Sequence, residues 1–522
     1  MKRYFILVMA MTMVLAVNAQ EKVKNVILMI PDGCSIATMS TARWYQWYMN
    51  PDQERLNIDP YFCGTVRTTC SNAPIGDSAP TTSCYMTGYN SRKGWVSTYP
   101  LADPDNDIYP MDPARAYQPL TTVLEASRML QGKSTGLVFT CYVPHATPAD
   151  CSAHCFDRSD LMTIANQQVH NGLDVVIGGG NDYLTPENEQ YLKDKGYSIV
   201  RNNIPEMRAC QNNKMWALYG EGDMDAEILR NPEEQPSIAE MTETAIKKLS
   251  TNKKGFFLMV EGSQVDYCAH ANNIIGMITE FLAFDKACKV ALDFAEKDGN
   301  TAVVILSDHG NSGLSIGRRN EDYATRTKDQ LFGALAGYKT NPANMAKILR
   351  DNPESEIEPL MKEWLGLELK DRELDMLKER REGSGLTDAI THLMTSRTGL
   401  AFTTGGHTGE DVIVAAYHPK SSSRPYGMLS NIEMNDYLCR ISGFTHNDLE
   451  HLTAENFQPH TEVLKGHKYE VIDGVLNAEV DGRKVCYYPN TNIVEVDGQK
   501  KELRSVIVYC KKNETFYIPR KI

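Results

Sequence analysis

Residues 256–270 read FFLMVEGSQVDYCAH. Five apolar residues without polar alternation describe a strand buried on both faces, as in a mostly parallel sheet covered by helices. Glu261, Asp266 and His270 follow at once, placing two carboxylates and an imidazole at the mouth of that strand. In open α/β sheets, ligands bind beyond the carboxyl ends of the strands. This stretch therefore points both to an architecture and to the edge of it where chemistry belongs.

Similar apolar runs recur along the chain: VILMI at 26–30, STGLVFTCYV at 134–143, DVVIGGG at 174–180, TAVVIL at 301–306 and DVIVAAY at 411–417. Between them LTTVLEASRML (120–130), SIAEMTETAIKKL (237–249) and IIGMITEFLAFDKACKVALDFAEK (274–297) repeat apolar residues at intervals of three and four, the period of a helix. The alternation predicts an α/β fold: a doubly wound, mostly parallel central sheet with helices on both faces. The rhythm breaks at 341–397, where charged helical segments such as IEPLMKEWLGL and DRELDMLKERRE read as a helical insertion. From about Thr445, short segments bounded by Asp-Gly turn signals predict a small β-rich C-terminal addition over 445–522, after a main domain spanning 20–444. The addition reads equally as a packing cap or as a surface or glycan contact.

The chain has 522 residues and a formal net charge of −13, with no sustained basic block. That balance excludes a phosphate-backbone partner, and with it a nucleic-acid-binding surface. The opening MKRYFILVMAMTMVLAVNAQ places Lys2 and Arg3 ahead of an apolar stretch and ends it with Val17-Asn18-Ala19, the pattern of a signal peptide cut after Ala19. Export to the periplasm or beyond is expected. No later segment approaches the roughly 20 apolar residues of a membrane span. Thirteen cysteines form an odd set. Cys63 with Cys70 and Cys151 with Cys155 are close in sequence, but bridging is a matter of geometry. Cys34, Cys141 and Cys268 adjoin candidate site residues without any CxxC pair, so they read as small buried hydrophobes.

The ends of the other apolar runs repeat the pattern of the first. Pro31-Asp32-Gly33, Pro144-His145-Ala146-Thr147 and Ser307-Asp308-His309-Gly310 each follow a run, and Gly405-Gly406-His407-Thr408-Gly409 precedes the last. So many carboxylates on one rim require cations; imidazole with carboxylate suits zinc, and carboxylate with hydroxyl suits magnesium. In GDSAPTTSCYMTGY (76–89), Ser78 stands where a helix can begin, with Pro80 in its first turn and Gly88 at its end. A helix N-terminus accepts a phosphate, and a serine held on a metal becomes a competent nucleophile. Asp77 is placed to orient it.

At these residues the chain resembles the alkaline phosphatase family. The motifs that carry the resemblance are PDG (31–33), DSA (77–79), HATPA (145–149), Arg158 eleven positions after Thr147, DVVIGGG (174–180), VEGSQVDYCAH (260–270), SDHG (307–310) and GGHTGEDV (405–412). They run in family order over about 23–418. The resemblance implies a first zinc on Asp266, His270 and His407 and a second on Asp32, Ser78, Asp308 and His309. It also implies a magnesium on Thr147 and Glu261 to which Asp32 bridges. Arg158 would grip the phosphoryl oxygens, and Asp77, His145 and Tyr267 would stand behind the ligands. The implied activity is hydrolysis of small phosphate monoesters through a phosphoserine on Ser78. The implied assembly includes the dimer common in the family. Competing readings are a phosphodiesterase or sulfatase of the same superfamily, and a periplasmic phosphate-binding protein with structural metals. Tyr267 and Asn311 depart from the pattern, since Lys or His and a further His are common at those positions.

Overall fold

The computed structural model describes residues 22–522, so the expected signal peptide lies outside the described residues. Ten strands form the central sheet: β1 Asn25–Pro31, β2 Phe62–Arg67, β3 Ser134–Tyr142, β4 Val175–Gly179, β5 Ser198–Arg201, β6 Met215–Tyr219, β7 Phe256–Gly262, β8 Thr301–Leu306, β9 Val412–Tyr417 and β10 Gly427–Ser430. Their spatial order is β10-β2-β9-β8-β1-β7-β3-β4-β6-β5. From β8 to β5 all neighbours are parallel; β9 runs antiparallel to both β8 and β2. The expected doubly wound, mostly parallel α/β sheet is present, with one reversed strand.

Six strands coincide with the apolar runs read from the sequence. β2, β5, β6 and β10 do not. β5 and β10 are the sheet edges and β2 lies beside one, so these strands carry exposed or part-exposed residues and lack a continuous apolar signature. β6 is wholly buried, but MWALY is short and has no β-branched residue to mark it.

The helices form where apolar spacing and caps agree. Val123–Gln131 starts after Thr122, whose hydroxyl accepts from the Glu125 amide while the Glu125 carboxylate accepts from the Thr122 amide. One face of the sheet packs on this helix and on Asn431–Ser442, and the opposite face packs on Ile238–Leu249 and Ile274–Asp298. The long helix also carries Ile274, Ile275, Met277 and Ile278 into a separate apolar cluster shared with helices Pro342–Asp351, Ile357–Leu365 and Leu386–Ser396 of the inserted segment.

After Ser442 the chain forms a further helix, His446–Asn456, before the antiparallel strands begin. A five-stranded meander runs from Lys468 to Glu502. Three of its turns are Asp473-Gly474, Asp481-Gly482 and Asp497-Gly498, with positive φ at both residues, the conformation of type I′ hairpins. This unit docks on the main domain: the Asn166 and Gln167 amides donate to Asn490, and Arg128 donates to the Arg504 carbonyl. Among the described residues no helix is long and apolar enough to cross a membrane, and all thirteen cysteines are free thiols.

Glu280 lies buried on the long helix and accepts the Glu227 amide at 2.6 Å. Burial pushes its carboxyl up to about 8. A folded value above the unfolded one favours the fold fully below the ordinary carboxylate range, and that contribution is lost as pH rises through 8. Glu280→Gln is therefore expected to gain stability over the wild type by up to about 1.4 kcal/mol per pH unit across that window. Urea unfolding midpoints of the two proteins at several pH values test this, and parallel pH profiles would refute it.

Candidate functional site

The register of the central strands sets the site. Ile30 lies beside Glu261, and Glu261 in turn beside Phe139, so β1 and β7 end together beside β3, which runs on to Tyr142, and release their next residues at one rim. Asp32 follows β1, Glu261 closes β7, Asp308 and His309 follow β8, and Asp266 and His270 stand on the short helix Gln264–His270. His407 is brought back by a two-residue ladder with Gly310 and Asn311. Gly33 turns the chain at φ +62, and its amide donates to Asp308 Oδ1 at 3.0 Å.

Four carboxylates, Asp32, Glu261, Asp266 and Asp308, are buried here. Among the described residues their ion-pair partners are histidines alone: His309 with Asp32 (3.3 Å) and Asp308 (3.5 Å), and His270 and His407 with Asp266 (3.4 and 4.0 Å). Burial, and after it the charges of Asp308, Asp266 and Glu261, hold the Asp32 carboxyl well above its ordinary range. Burial likewise pushes Glu261 up to about 7. Asp308 Oδ2, Glu261 Oε1 and the Thr147 hydroxyl are buried without any hydrogen-bond partner.

The histidines are locked in one tautomer. Each Nδ1 meets a backbone carbonyl, His270 at Gly405 (2.9 Å), His309 at Gly310 (3.1 Å) and His407 at Gly76 (3.0 Å). A carbonyl only accepts, so each Nδ1 carries a proton and each ring turns Nε2 inward, where it offers a lone pair once deprotonated. His270 Nε2 and His407 Nε2 then face each other at 3.1 Å. Two lone pairs so close repel unless a cation lies between them, and this backbone-fixed arrangement is typical of metal-ligating histidines.

Ligand-capable atoms gather in three groups: Asp266, His309 and His407; Asp32, Asp308 and His309; and Cys141, His145 and Glu261. The first two contain ligands expected for the two zinc ions, with His309 shared and His270 reaching the first through its contact with His407. The third differs from expectation. Cys141, read as a small buried hydrophobe, is buried, but its Sγ also lies 3.3 Å from Glu261 Oε2. His145, expected to stand behind the ligands, belongs to the group itself. Cys34 and Cys268 are buried as expected.

Ser78 opens the helix Ser78–Thr87, which Asp77 precedes without capping it through its side chain. Ser78 Oγ lies 3.4 Å from both oxygens of Asp32 and 3.2 Å from His309 Nε2. Beside it, Arg158 pairs with Asp77 at 3.3 Å and approaches His145 Nε2 at 3.1 Å. Asp77 is held below the usual carboxylate range because Arg158, His309 and His407 outweigh its burial. The Tyr267 hydroxyl donates to Asp223 Oδ1 at 3.2 Å, and its ring meets the His145 ring edge to face. Asn311 donates to Asp266 Oδ1 at 2.7 Å.

The family model for alkaline phosphatase matches residues 23–442. The chain belongs to the alkaline phosphatase family. Alkaline phosphatase 3 of Bacillus subtilis is 32% identical over 438 residues, covering 80% of this chain and 88% of that protein. The repressible alkaline phosphatase of Saccharomyces cerevisiae is 28% identical over 486 residues, covering 83% and 82%. Among solved structures, a cold-active alkaline phosphatase from a psychrophilic Shewanella superposes with a TM-score of 0.70 at 26% identity, covering 79% of this chain and 98% of its own. The chain is accordingly an enzyme, a phosphatase of a metal-dependent family, and it carries metal-competent residue groups on the family fold.

A methyl group on Gly33 would sit 2.2 Å from Asp266 Oδ1 and 2.8 Å from Asp266 Cβ. Alanine would also pay about 1–2 kcal/mol for the left-handed backbone. Gly33→Ala is expected to displace Asp266 and lower both bound transition metal and phosphatase kcat/KM by tenfold or more, a loss of about 1.4 kcal/mol or more, while the protein still unfolds cooperatively. Metal content and activity at wild-type level in this variant would contradict the assignment.

Proposed function

We propose that the chain hydrolyses phosphate monoesters to an alcohol and inorganic phosphate through a phosphoserine on Ser78. It would do so at a centre of two zinc ions and a third divalent cation, which the family resemblance assigns as magnesium. The observation that carries the reading is Ser78 Oγ, at a helix N-terminus, within 3.4 Å of Asp32 and His309 in a cluster of buried carboxylates that only histidines offset.

The donor set fits such ions. Three inward lone pairs on His270, His407 and His309 with Asp266, Asp32 and Asp308 make mixed imidazole and carboxylate sites suited to zinc. The orphaned oxygens of Asp308, Glu261 and Thr147 are what cation ligands look like before hydrogen-bond partners are counted. Bound there, divalent cations offset the carboxylate charge and polarise the attacking and leaving oxygens of an in-line displacement.

The rest of the work falls to the protein. The first turn of the Ser78 helix presents backbone N–H groups and the positive end of its dipole to a phosphoryl group. Arg158, oriented by Asp77, offers a planar fork to two non-bridging oxygens. Ser78 Oγ gives its proton to solvent and attacks phosphorus; the ester P–O bond breaks and the alcohol oxygen leaves, taking a proton from water. A water then attacks the phosphoserine, one of its protons passes through solvent to Ser78 Oγ as that P–O bond breaks, and hydrogen phosphate departs from Arg158. The expected signal peptide would place this activity outside the cytoplasm.

Two measurements test the reading. kcat/KM for an aryl phosphate should exceed that for an aryl phosphate diester and an aryl sulfate, because Arg158 and the cations favour a dianion; preference for either competitor would overturn it. Ser78→Ala should abolish acid-trapped phosphoenzyme and reduce kcat by about 10³-fold or more. Arg158→Ala should lose about 1.5–3 kcal/mol of transition-state binding, as for a hydrogen bond to a charged group.

A further inference from the structure

The third group of ligand-capable atoms differs chemically from a magnesium site. Cys141, His145 and Glu261 each bring one ligand atom to within 4.8 Å of the others. Cys141 ends the buried run of β3, next to the strand that carries Glu261. Its Sγ lies 3.3 Å from Glu261 Oε2, and its backbone amide is tied to Ser263 Oγ at 3.1 Å.

A buried thiol donating to a carboxylate is by itself unremarkable, and a packing role would explain it. Packing does not explain the atoms around it. Glu261 Oε1 and the Thr147 hydroxyl are both buried and neither has a hydrogen-bond partner. Leaving both oxygens unpaired in one pocket destabilises the folded protein. An ion held among them removes that cost.

Magnesium holds oxygen ligands in near-ideal octahedra and keeps several waters. Sulfur is instead a donor for zinc and its neighbours. A Cys141 thiolate and the Glu261 carboxylate together also match the charge of one divalent ion. Building on the metal centre proposed above, we propose that Cys141 is a sulfur ligand at the third site, which makes that site selective for a zinc-type ion over magnesium. On binding, the thiol gives its proton to solvent and the S–metal bond replaces the S–H···O contact to Glu261.

The test uses the mature full-length protein, stripped of metal and reloaded with cobalt(II) or zinc. Cobalt loading should produce a sulfur-to-cobalt charge-transfer band in the near ultraviolet that is absent from Cys141→Ser and kept in Cys34→Ser. Zinc loading should give three ions per chain that survive excess magnesium. In Cys141→Ser the third zinc should be held about 100-fold more weakly or worse, the upper end of what losing even a supporting contact costs, and should exchange for magnesium. If Cys141→Ser does not fold, zinc-edge X-ray absorption of the wild type decides instead, since a Zn–S distance of about 2.3 Å must appear. No cobalt band in the wild type, a band unchanged in Cys141→Ser, or no sulfur scatterer overturns the inference. If aryl phosphate is still hydrolysed through Ser78 in those cases, the proposed function stands without it. A sulfur-bound third ion in a protein that does not turn over phosphate monoesters would overturn the function and leave this ligand in place.

Discussion

Mutual repulsion among Asp32, Glu261, Asp266 and Asp308 is the constraint on which the rest of the site depends. Buried charges of one sign are tolerated only when protons, partners or cations offset them. Here the neighbouring positive groups are too few. Arg158 pairs with Asp77 through one nitrogen, and the three histidines each turn Nδ1 to a backbone carbonyl. Without cations, protons must take their place, and the upward displacement of the Asp32 and Glu261 carboxyls expresses that.

Backbone geometry, more than side-chain packing, holds this arrangement against its own repulsion. Parallel pairing of β1 with β7 and β8 fixes which residues leave the sheet together. Gly33 then bends under Asp266 where any side chain would collide with it, and the His407 ladder with Gly310 and Asn311 closes the rim from the far side. Every functional group is thus anchored within a few residues of a rigid strand or helix end, so little conformational freedom remains to relax the charge cluster.

This anchoring explains how much was legible in the sequence. Continuous apolar runs mark strands buried on both faces, and the residues just beyond them are forced to the ligand-binding rim, so Asp32, Glu261, Asp308 and His309 could be placed before any coordinates. The Asp-Gly pairs between 473 and 498 were readable for a related reason, since few other residues tolerate positive φ at both turn positions. What escaped reading lacks a periodic or conformational signature. The strands β2, β5 and β10 are at or near sheet edges, where burial imposes no continuous pattern. The helix His446–Asn456 inside the β-rich segment rests on a local capping box of Thr445 with Asp448. Cys141 is invisible for a different reason: inside an apolar strand, a thiol that packs and a thiol that ligates occupy the same place in the pattern, and only the orphaned oxygens of Glu261 and Thr147 distinguish them.

Two further side chains, Asn311 and Tyr267, bear on the charge of this rim. Asn311 holds Asp266 by a neutral amide at 2.7 Å, which leaves the carboxylate's charge undiminished from that side. Tyr267 turns away from the phosphate side toward Asp223, and its ring walls His145 together with Tyr142. Both contacts are neutral, and neither supplies a cation to the rim. Charge that offsets the carboxylates must then come from protons or from bound ions. A softer, tighter donor set at the third site is the kind of change that meets this demand, because a rim with fewer protein cations depends more on keeping its metals. With the sulfur ligand proposed for Cys141, Asn311 and Tyr267 would leave one electrostatic cluster balanced by coordinated ions more than by side-chain cations.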